Sequence, residues 1–180
     1  QWEQVYAVGF RTVVDDVVPA DWVGSAAGGR RGEWYGSLED KEANQYFCVS
    51  LFEPGVNGLR RSKKTFKAQC VLVLDDLGIG GAVGGKADLA LLDGKLEPSY
   101  MLETSRDNFQ VGYILDVPCE DADLADRLVK AMIKDGLGLE VDPGMQGVTR
   151  LCRSLGINNK RKYGEVWQCK LRTWKPELRY

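Results

Sequence analysis

The sequence predicts an α+β fold built on a mixed or mostly antiparallel sheet. Three observations predict it: segments with strand-like patterns outnumber the one clear helix, turn residues separate those segments, and no internal repeat is visible. The 180 residues, 44% hydrophobic and 28% charged, have the size and composition of one globular domain with a real core. We expect a single domain over residues 1–180, excised from a longer polypeptide because the chain begins at Gln1 without a methionine.

The predicted strands follow a loop-rich lead-in of about forty residues that is rich in glycine. Residues 44–52, NQYFCVSLF, alternate aromatic, β-branched and small residues as a strand does, and the EPGVNG after them is typical of a turn. The basic segment RRSKKTFK leads into a second strand, AQCVLVLDD. The strings SYMLETS and FQVGYILDV predict a hairpin around the turn residues Arg106, Asp107 and Asn108.

The clearest helix lies in residues 121–136, DADLADRLVKAMIKDG. Acids occupy its first turn, a lysine its last, and glycine its end. Leu124, Leu128, Ala131 and Met132 fall on one face of this helix. The strings VTRLCR and EVWQCKLRTW then predict the closing strands.

Composition excludes several classes of function. The chain has no histidine, which removes Ser-His-Asp and Cys-His catalysis and histidine-ligated metals. No apolar run approaches the ~20 residues that cross a bilayer, and no signal peptide opens the chain, so we expect no membrane partner. The five cysteines form no CxxC pair, and we expect them to be buried reduced thiols in a cytosol.

The positive charges are bunched although the net charge is −2. One cluster lies at residues 60–67 and a second at residues 150–162. Local clusters, rather than the total charge, steer a polyanion such as a nucleic acid. A solvated loop is the alternative interpretation of each cluster. The first cluster contains Arg60, Arg61, Lys63, Lys64 and Lys67.

The string VLVLDD at residues 71–76 places Asp75 and Asp76 at the end of an apolar strand. Adjacent carboxylates repel each other unless a proton or a cation lies between them, and hard oxygen ligands suit Mg²⁺ or Mn²⁺. The pair is therefore a candidate metal site. Alternatively, one aspartate caps the turn and the other is solvated.

Residues 80–87, GGAVGGKA, match the spacing of a Walker A loop, GxxxxGK, except that Ala87 replaces its Ser or Thr. The following ADLALLDG is short for the helix whose N-terminus would face the phosphates. A flexible loop that lets Lys86 approach a polyphosphate is the preferred interpretation, and a plain surface loop is the alternative.

Two further clusters carry polar side chains suited to a nucleotide. In TSRDNFQ, the hydroxyl of Ser105 and the carboxamide of Gln110 lie at neighbouring strand ends, although the string is also a good turn. The string VDPGMQGVTRLCRSLGINNKRK carries Arg150 and Arg153. Such guanidiniums clamp phosphates, and a nearby acidic site carries the metal. The residues that flank the two arginines are Asp142, Asn158, Asn159 and Lys160.

The succession of motifs resembles the primase-polymerase domains of phage and plasmid replication proteins, in the archaeo-eukaryotic primase superfamily. The likeness covers roughly residues 44–180 and rests on the order DDLG, EPSYMLETSRDNFQVGYIL, DPGMQGVTRLCRSLGINNK and WQCKLRTWKPELRY. The resemblance implies a core with an RRM-like sheet, flanked by helices, beside a second small α/β unit. It also implies template-directed synthesis of RNA or DNA, often with a helicase domain further along the full-length protein.

The resemblance assigns roles to individual residues. Asp75 and Asp76 match the first acidic motif, and Asp142 lies near the third acid, for which Asp116 and Glu103 are substitutes. These acids would hold two Mg²⁺ or Mn²⁺ ions. The implied nucleotide-binding residues are Lys86, Ser105, Asn108, Gln110, Arg150, Arg153, Asn158 and Lys160. The implied contacts to the single-stranded DNA template come from Arg60, Arg61, Lys63 and Lys64.

The sequence departs from the superfamily pattern in three places. The acids of the first motif are adjacent rather than alternating, so both can face one metal only if the strand breaks or bulges there. Gln110 stands where many members have histidine, and SLG replaces a proline-containing turn after Arg153. Because the order of the motifs is retained despite these departures, the leading hypothesis is a primase or polymerase that uses nucleoside triphosphates. The rivals are a catalytically inactive DNA- or origin-binding module and, third, a P-loop ATPase.

Overall fold

The computed structural model describes residues 6–12, 27–30, 44–56, 58–59, 61–79, 87–136, 147–158 and 166–180. Within these ranges the fold is α+β and dominated by one mixed sheet of eleven strands, with one α-helix and a separate two-stranded ribbon. The predicted fold class is confirmed at this level. No helix in the described part of the chain is long and apolar enough to span a membrane.

The secondary-structure elements are short except for the two central strands. The first strands in chain order are β1 Tyr6–Thr12, β2 Ala27–Arg30, β3 Asn44–Phe52, β4 Pro54–Gly55, β5 Gly58–Leu59, β6 Phe66–Gly78 and β7 Ala87–Asp88. They are followed by β8 Tyr100–Ser105, β9 Asn108–Cys119, helix α1 Ala122–Ala131, β10 Leu151–Arg153, β11 Ile157–Asn158, β12 Trp167–Gln168 and β13 Lys170–Trp174. Short 3₁₀ turns cover Lys63–Thr65 and Leu89–Leu92.

The sheet runs β12, β11, β3, β6, β9, β8, β13, and it forks at β3. Residues 46–48 of β3 pair antiparallel with β10, whereas residues 50–52 pair antiparallel with β6. Strand β1 pairs with β3 and with β2. The predicted hairpin is present, because β8 and β9 pair antiparallel around Arg106 and Asp107. The fork brings the segment that carries β10 beside the central strand β6.

Both faces of β6 are buried, which explains its continuous apolar run. Leu72, Leu74 and Leu77 pack with the core beneath α1. Val71 and Val73 pack on the opposite face, against a second cluster that includes Tyr100, Leu102 and Cys152. Alternate residues of a strand point to opposite faces, so a strand covered on both sides reads as uninterrupted Val and Leu.

The helix is confirmed, but the face that packs on the sheet differs from the apolar face identified in the sequence. Ala125, Val129 and Ile133 are buried, whereas Leu124 and Leu128 are 40% and 38% exposed. The buried residues recur every four positions, and the small Ala125 allows the helix to approach the sheet closely. Asp121 caps the helix by accepting hydrogen bonds from the backbone of residues 123 and 124, and a π-helical turn ends it at Gly136.

Three other predictions need correction. The lead-in is not only loop, since β1 and β2 lie within it. The strand VLVLDD does not end at the aspartates, because β6 continues to Gly78. The segment EVWQCKLRTW forms two strands, β12 and β13, rather than one. The cysteines agree with expectation in part: all five are free, and Cys48, Cys152 and Cys169 are buried, whereas Cys70 and Cys119 are half-buried.

Candidate functional site

Asp75 and Asp76 lie in a β-bulge of the central strand. Between the pairs Leu74↔Val111 and Leu77↔Phe109, β6 contains one residue more than β9, which defines the bulge. Asp76 has a φ of 58°, in the left-handed region that aspartate tolerates better than most residues. The bulge is the irregularity that two adjacent acids require if both are to face one cation. We call this pair the acidic bulge.

Arg150 joins the acidic bulge to the segment before β10. Its Nη2 lies 3.1 Å from Oδ2 of Asp75, and its Nη1 donates to the carbonyl of Val73 at 3.1 Å. The Arg150 side chain is 8% exposed and that of Asp75 is 26% exposed. Burial by itself lowers the pKa of Arg150, but the nearby Cys152 and Asp75 more than offset this, so its pKa lies above the ordinary value. Arg150 is therefore a permanent positive charge beside Asp75.

Asn108, the first residue of β9, contacts the second acid. Its Nδ2 donates to Oδ1 of Asp76 at 3.3 Å, and the residue is 2% exposed. The other atom of the carboxamide, Oδ1, is buried and has no hydrogen-bond partner. Ser105 pairs with Asn108 across the hairpin turn and is also buried. Asn108 thus lies beside the acidic bulge, whereas Ser105 lies one strand further away, because β9 separates β8 from β6.

The predicted nucleotide ligands Gln110, Arg153 and Asn158 lie in the interior and contact other protein groups. Gln110 exchanges two hydrogen bonds with the backbone of Arg153, at 3.2 and 3.0 Å, and its Nε2 also lies 3.2 Å from the Tyr100 hydroxyl. The Arg153 guanidinium contacts Asn44 Oδ1 at 2.7 Å. Asn158 Nδ2 donates to a carbonyl of β8 at 2.7 Å. These contacts fasten β10 and β11 to the β8–β9 hairpin, and a nucleotide contact by the three residues stays a prediction.

The close packing beneath Gln110 depends on a glycine. Tyr100 crosses Gly112 on the adjacent strand, and a Cβ at position 112 would lie 1.9 Å from Cε1 of the Tyr100 ring. The phenol therefore lies flat over the backbone of β9, where its hydroxyl reaches Gln110. On the same face of the sheet is an open apolar groove of about 440 Å³, whose aromatic walls are Phe47, Tyr100 and Trp174.

The basic segment after β5 reaches the same region. Arg61 Nη1 donates to the carbonyl of Thr149, the residue before Arg150. Lys63 and Lys64 are exposed in the 3₁₀ turn that follows. The chain thus brings one of the predicted template contacts, Arg61, within one residue of the arginine that holds Asp75.

Four of the predicted site residues lie outside the described part of the chain: Arg60, Lys86, Asp142 and Lys160. Of the two substitutes for the third acid, Asp116 is exposed and lies four or more residues along the β6–β9 ladder from Asp75, about 15 Å at ~3.3 Å per residue. Glu103 is 3% exposed, and its Oε2 accepts from Arg172 Nε at 2.7 Å. Among the described residues, neither substitute joins the acidic bulge.

Sequence reasoning missed a cationic cluster around Trp167. Arg106 lies 5.6 Å and Lys170 lies 4.0 Å from the centroid of the Trp167 ring, and the indole N–H donates to the carbonyl of Glu103 at 3.3 Å. The Glu103 carboxylate also accepts from the backbone of Asp107 at 3.1 Å, so it shapes the hairpin turn before Asn108. The local signal was weak, because these residues come from three separate strands and a turn.

The donor set fits a hard divalent cation in part. Two carboxylates and the orphaned amide oxygen of Asn108 are the oxygen ligands that Mg²⁺ and Mn²⁺ prefer. Within the described residues no group of three or more His, Cys, Asp or Glu side chains comes together. A complete acidic cage would therefore need a contribution from outside these residues, such as the predicted Asp142.

Comparison by sequence gives no assignment, since no protein-family model and no curated protein matches the chain. Solved structures do show likeness. The AEP domain of the primase-polymerase of cyanophage S-2L superposes with a TM-score of 0.54 at 16% identity, over 98% of this chain and 87% of its own.

Two structures of primase RepB′ are also similar. One superposes with a TM-score of 0.53 at 14% identity, over 96% of this chain and 52% of its own, so the chain spans about half of that protein. The other is the catalytic domain of primase RepB′ in complex with initiator DNA, with a TM-score of 0.50 at 14% identity, over 96% of this chain and 78% of its own. The fold of this chain is therefore similar to the folds of these primase and primase-polymerase domains.

Proposed function

We propose that the chain is a template-dependent nucleotidyltransferase that synthesises or extends primers on single-stranded DNA in phage or plasmid replication. The observation that carries the proposal is the acidic bulge of Asp75 and Asp76 beside the buried Arg150, on a fold similar to that of primase-polymerase domains. A strained acid pair next to a fixed cation is expected where phosphates and metal ions meet, because each group needs the opposite charge.

Mg²⁺ or Mn²⁺ would be held by Asp75 and Asp76, with Asp142 as the predicted third acid. When bound, the ions would ease formation of the attacking 3′-oxygen anion and neutralise the pyrophosphate leaving group. Arg150 supplies a fixed guanidinium beside the carboxylates, suited to binding a triphosphate oxygen at the same time as it orients Asp75. Lys86 and Lys160 are the further cations that we expect near the phosphates.

The proposed template is single-stranded DNA. Arg61, Lys63 and Lys64 lead toward the acidic bulge from one side, through the contact of Arg61 with the residue before Arg150. Arg106 and Lys170, around Trp167, lie at the hairpin end of the sheet, two residues from Asn108 in the case of Arg106. Cations on both sides of an acidic site suit a polyanion that passes over it. A helicase domain in the full-length protein is proposed as a covalent partner.

Primer synthesis on single-stranded template tests the proposal. Asp75→Asn keeps a hydrogen-bonding partner for Arg150 but removes the charge, and we expect synthesis to fall on the order of 10³-fold, since metal assistance supplies several kcal/mol. Asp116→Asn removes one exposed acid from the same sheet and is the matched control, with unchanged synthesis. A variant that stays fully folded at the assay temperature and binds DNA as the wild type does would show that the loss is chemical. Undiminished synthesis by Asp75→Asn would eliminate the assignment.

A non-catalytic DNA- or origin-binding module is the second candidate. The ion pair between Asp75 and Arg150, and the internal hydrogen bonds of Gln110, favour it because they occupy groups that catalysis would use. Calorimetric titration with Mn²⁺ and with nucleoside triphosphates separates the two candidates, since a pure DNA reader needs neither. The P-loop ATPase is disfavoured, because residues 87–92 form a two-residue strand and a 3₁₀ turn where a Walker A loop requires an α-helix.

A further inference from the structure

The carboxamide of Asn108 has an unsatisfied half. Its amide group donates to Asp76, while its oxygen is buried without a hydrogen-bond partner in a residue that is 2% exposed. Burying a carbonyl oxygen unsatisfied is unfavourable, and such groups are rare in folded proteins. The orphaned oxygen therefore requires a physical reason.

The reason lies in the charge of Asp76. The carboxamide can rotate by half a turn about its last torsion and exchange its oxygen and nitrogen. Without a cation, the rotated form would place two oxygens against each other, so the amino group is held toward the carboxylate. With a cation beside Asp76 the preference reverses, because an amide oxygen is a ligand for Mg²⁺ and Mn²⁺ whereas an amide nitrogen that carries two hydrogens is not.

We propose that Asn108 is a cation ligand: its carboxamide turns over when a divalent cation binds beside Asp76, and the side-chain oxygen then coordinates that cation. The inference rests on the proposed function for the presence of the cation. It adds a neutral ligand from β9 to the acids of β6. It also explains why an uncharged residue suffices at this position, since Asp75 and Asp76 already repel each other.

The surroundings hold both groups ready for this exchange. Asp76 is fixed by the left-handed backbone of the bulge, and its N–H donates to Oδ1 of Asp75 at 3.0 Å. Asn108 begins β9 directly after a turn in which Glu103 accepts from the backbone of Asp107, and Glu103 is itself held by Arg172. Ligands whose positions are set by such supporting contacts bind a metal more tightly than flexible ones.

Side-chain NH₂ signals in ¹H–¹⁵N spectra of the chain, followed as Mg²⁺ is added with and without a nucleoside triphosphate, test the inference. Asn108→Leu identifies the Asn108 signal by its loss. We expect that signal to move with a saturable dependence on Mg²⁺. The signal of Gln69, whose buried amide donates to the carbonyl of Val71 at 2.9 Å, is the control and should not move.

Two variants distinguish coordination of the cation by Asn108 from a purely structural role, called here a stapling role, in which its amino group only holds Asp76 in place. Both Asn108→Leu and Asn108→Asp remove the amino group, so a stapling role predicts that they change Mg²⁺ affinity alike in high salt, which screens the added charge of Asn108→Asp. Coordination predicts that they diverge: Asn108→Leu weakens Mg²⁺ binding about tenfold, while Asn108→Asp, which keeps an oxygen there, binds Mg²⁺ at least as tightly as the wild type. Thermal unfolding without Mg²⁺ checks that both variants fold.

The outcomes distinguish this inference from the proposed function. If Mg²⁺ shifts the backbone signals of Asp75 and Asp76 while the Asn108 amide stays still and Asn108→Leu binds normally, the inference is overturned and the proposed function stands. If Mg²⁺ shifts no signal near the acidic bulge under either condition, both the inference and the metal-dependent function are refuted.

Discussion

Replacing Arg150 by methionine should destabilise the fold by about 2–3 kcal/mol. Methionine keeps most of the buried stem and removes the guanidinium, which bonds both Asp75 and the Val73 carbonyl. A hydrogen bond to a charged group contributes about 1.5–3 kcal/mol, and an unsatisfied buried carbonyl costs about 1 kcal/mol or more. Asp75 is 26% exposed, so water partly replaces the lost partner and the lower part of the combined range applies.

Urea unfolding followed by tryptophan fluorescence measures this loss, and a double-mutant cycle isolates the ion pair. The cycle compares Arg150→Met, Asp75→Asn and the double variant. We expect a coupling free energy of about 1–2 kcal/mol between the two positions. A coupling below about 0.4 kcal/mol, the usual error of additivity, would show that the contact between Asp75 and Arg150 does not stabilise the fold.

The same variant should shift two binding affinities in opposite directions. Removing a positive charge from beside the acidic bulge strengthens the local negative potential, so Arg150→Met should bind Mn²⁺ more tightly than the wild type. The triphosphate loses a cation, so nucleotide binding should weaken. Calorimetric titration with each ligand measures both effects, and a parallel loss of both would indicate that the variant has only disordered the site.

Two further predictions concern the packing and the template contact. Gly112→Ala should destabilise the fold by about 1–3 kcal/mol in urea unfolding, because the new Cβ would lie 1.9 Å from the ring of Tyr100; an unchanged midpoint would contradict this packing. Changing Lys63 and Lys64 to alanine should make the binding of single-stranded DNA less sensitive to salt. Each phosphate contact contributes about 0.7 to the slope of log K against log salt concentration, so losing two contacts should lower the magnitude of that slope by about 1.4. A slope equal to that of the wild type would exclude the two lysines as phosphate contacts. The control with the same loss of charge on helix α1 changes Lys130 and Lys134 to alanine.

The elements that sequence predicted correctly are those whose signals are local. The hairpin of β8 and β9 has turn residues between two alternating segments, and α1 has an acidic cap and a lysine in its last turn. The two strands of the lead-in and the buried face of α1 were missed, because both depend on which partner each element meets. Pairing between distant segments leaves little trace in a single stretch of sequence.

In the candidate site, too, the sequence predicts the features that are local and misses those that depend on distant segments. Asp75 and Asp76 stand out in the sequence because two acids follow a buried strand. The ion pair of Asp75 with Arg150 could not be predicted in this way, because it joins residues 75 positions apart. Gln110 and Arg153 are predicted nucleotide ligands because a carboxamide and a guanidinium suit a nucleotide. The sequence did not show that β10 packs beside β9, where the side chain of Gln110 bonds the backbone of Arg153. A local sequence pattern carries no information about which remote segment will bury it.

The acidic bulge is a poor choice of sequence if stability alone is considered. A non-glycine residue in the left-handed region costs about 1–2 kcal/mol, and Asp76 has a φ of 58°. Glycine would relieve that strain, and a neutral residue at position 75 would remove the repulsion between adjacent carboxylates. Arg150 offsets the charge of Asp75, while Asp76 accepts a hydrogen bond at 3.3 Å from a carboxamide whose oxygen is unsatisfied. The proposed binding of a divalent cation would relieve both the repulsion and the orphaned oxygen, and it gives a reason to keep the strained backbone of Asp76 at this point of the central strand.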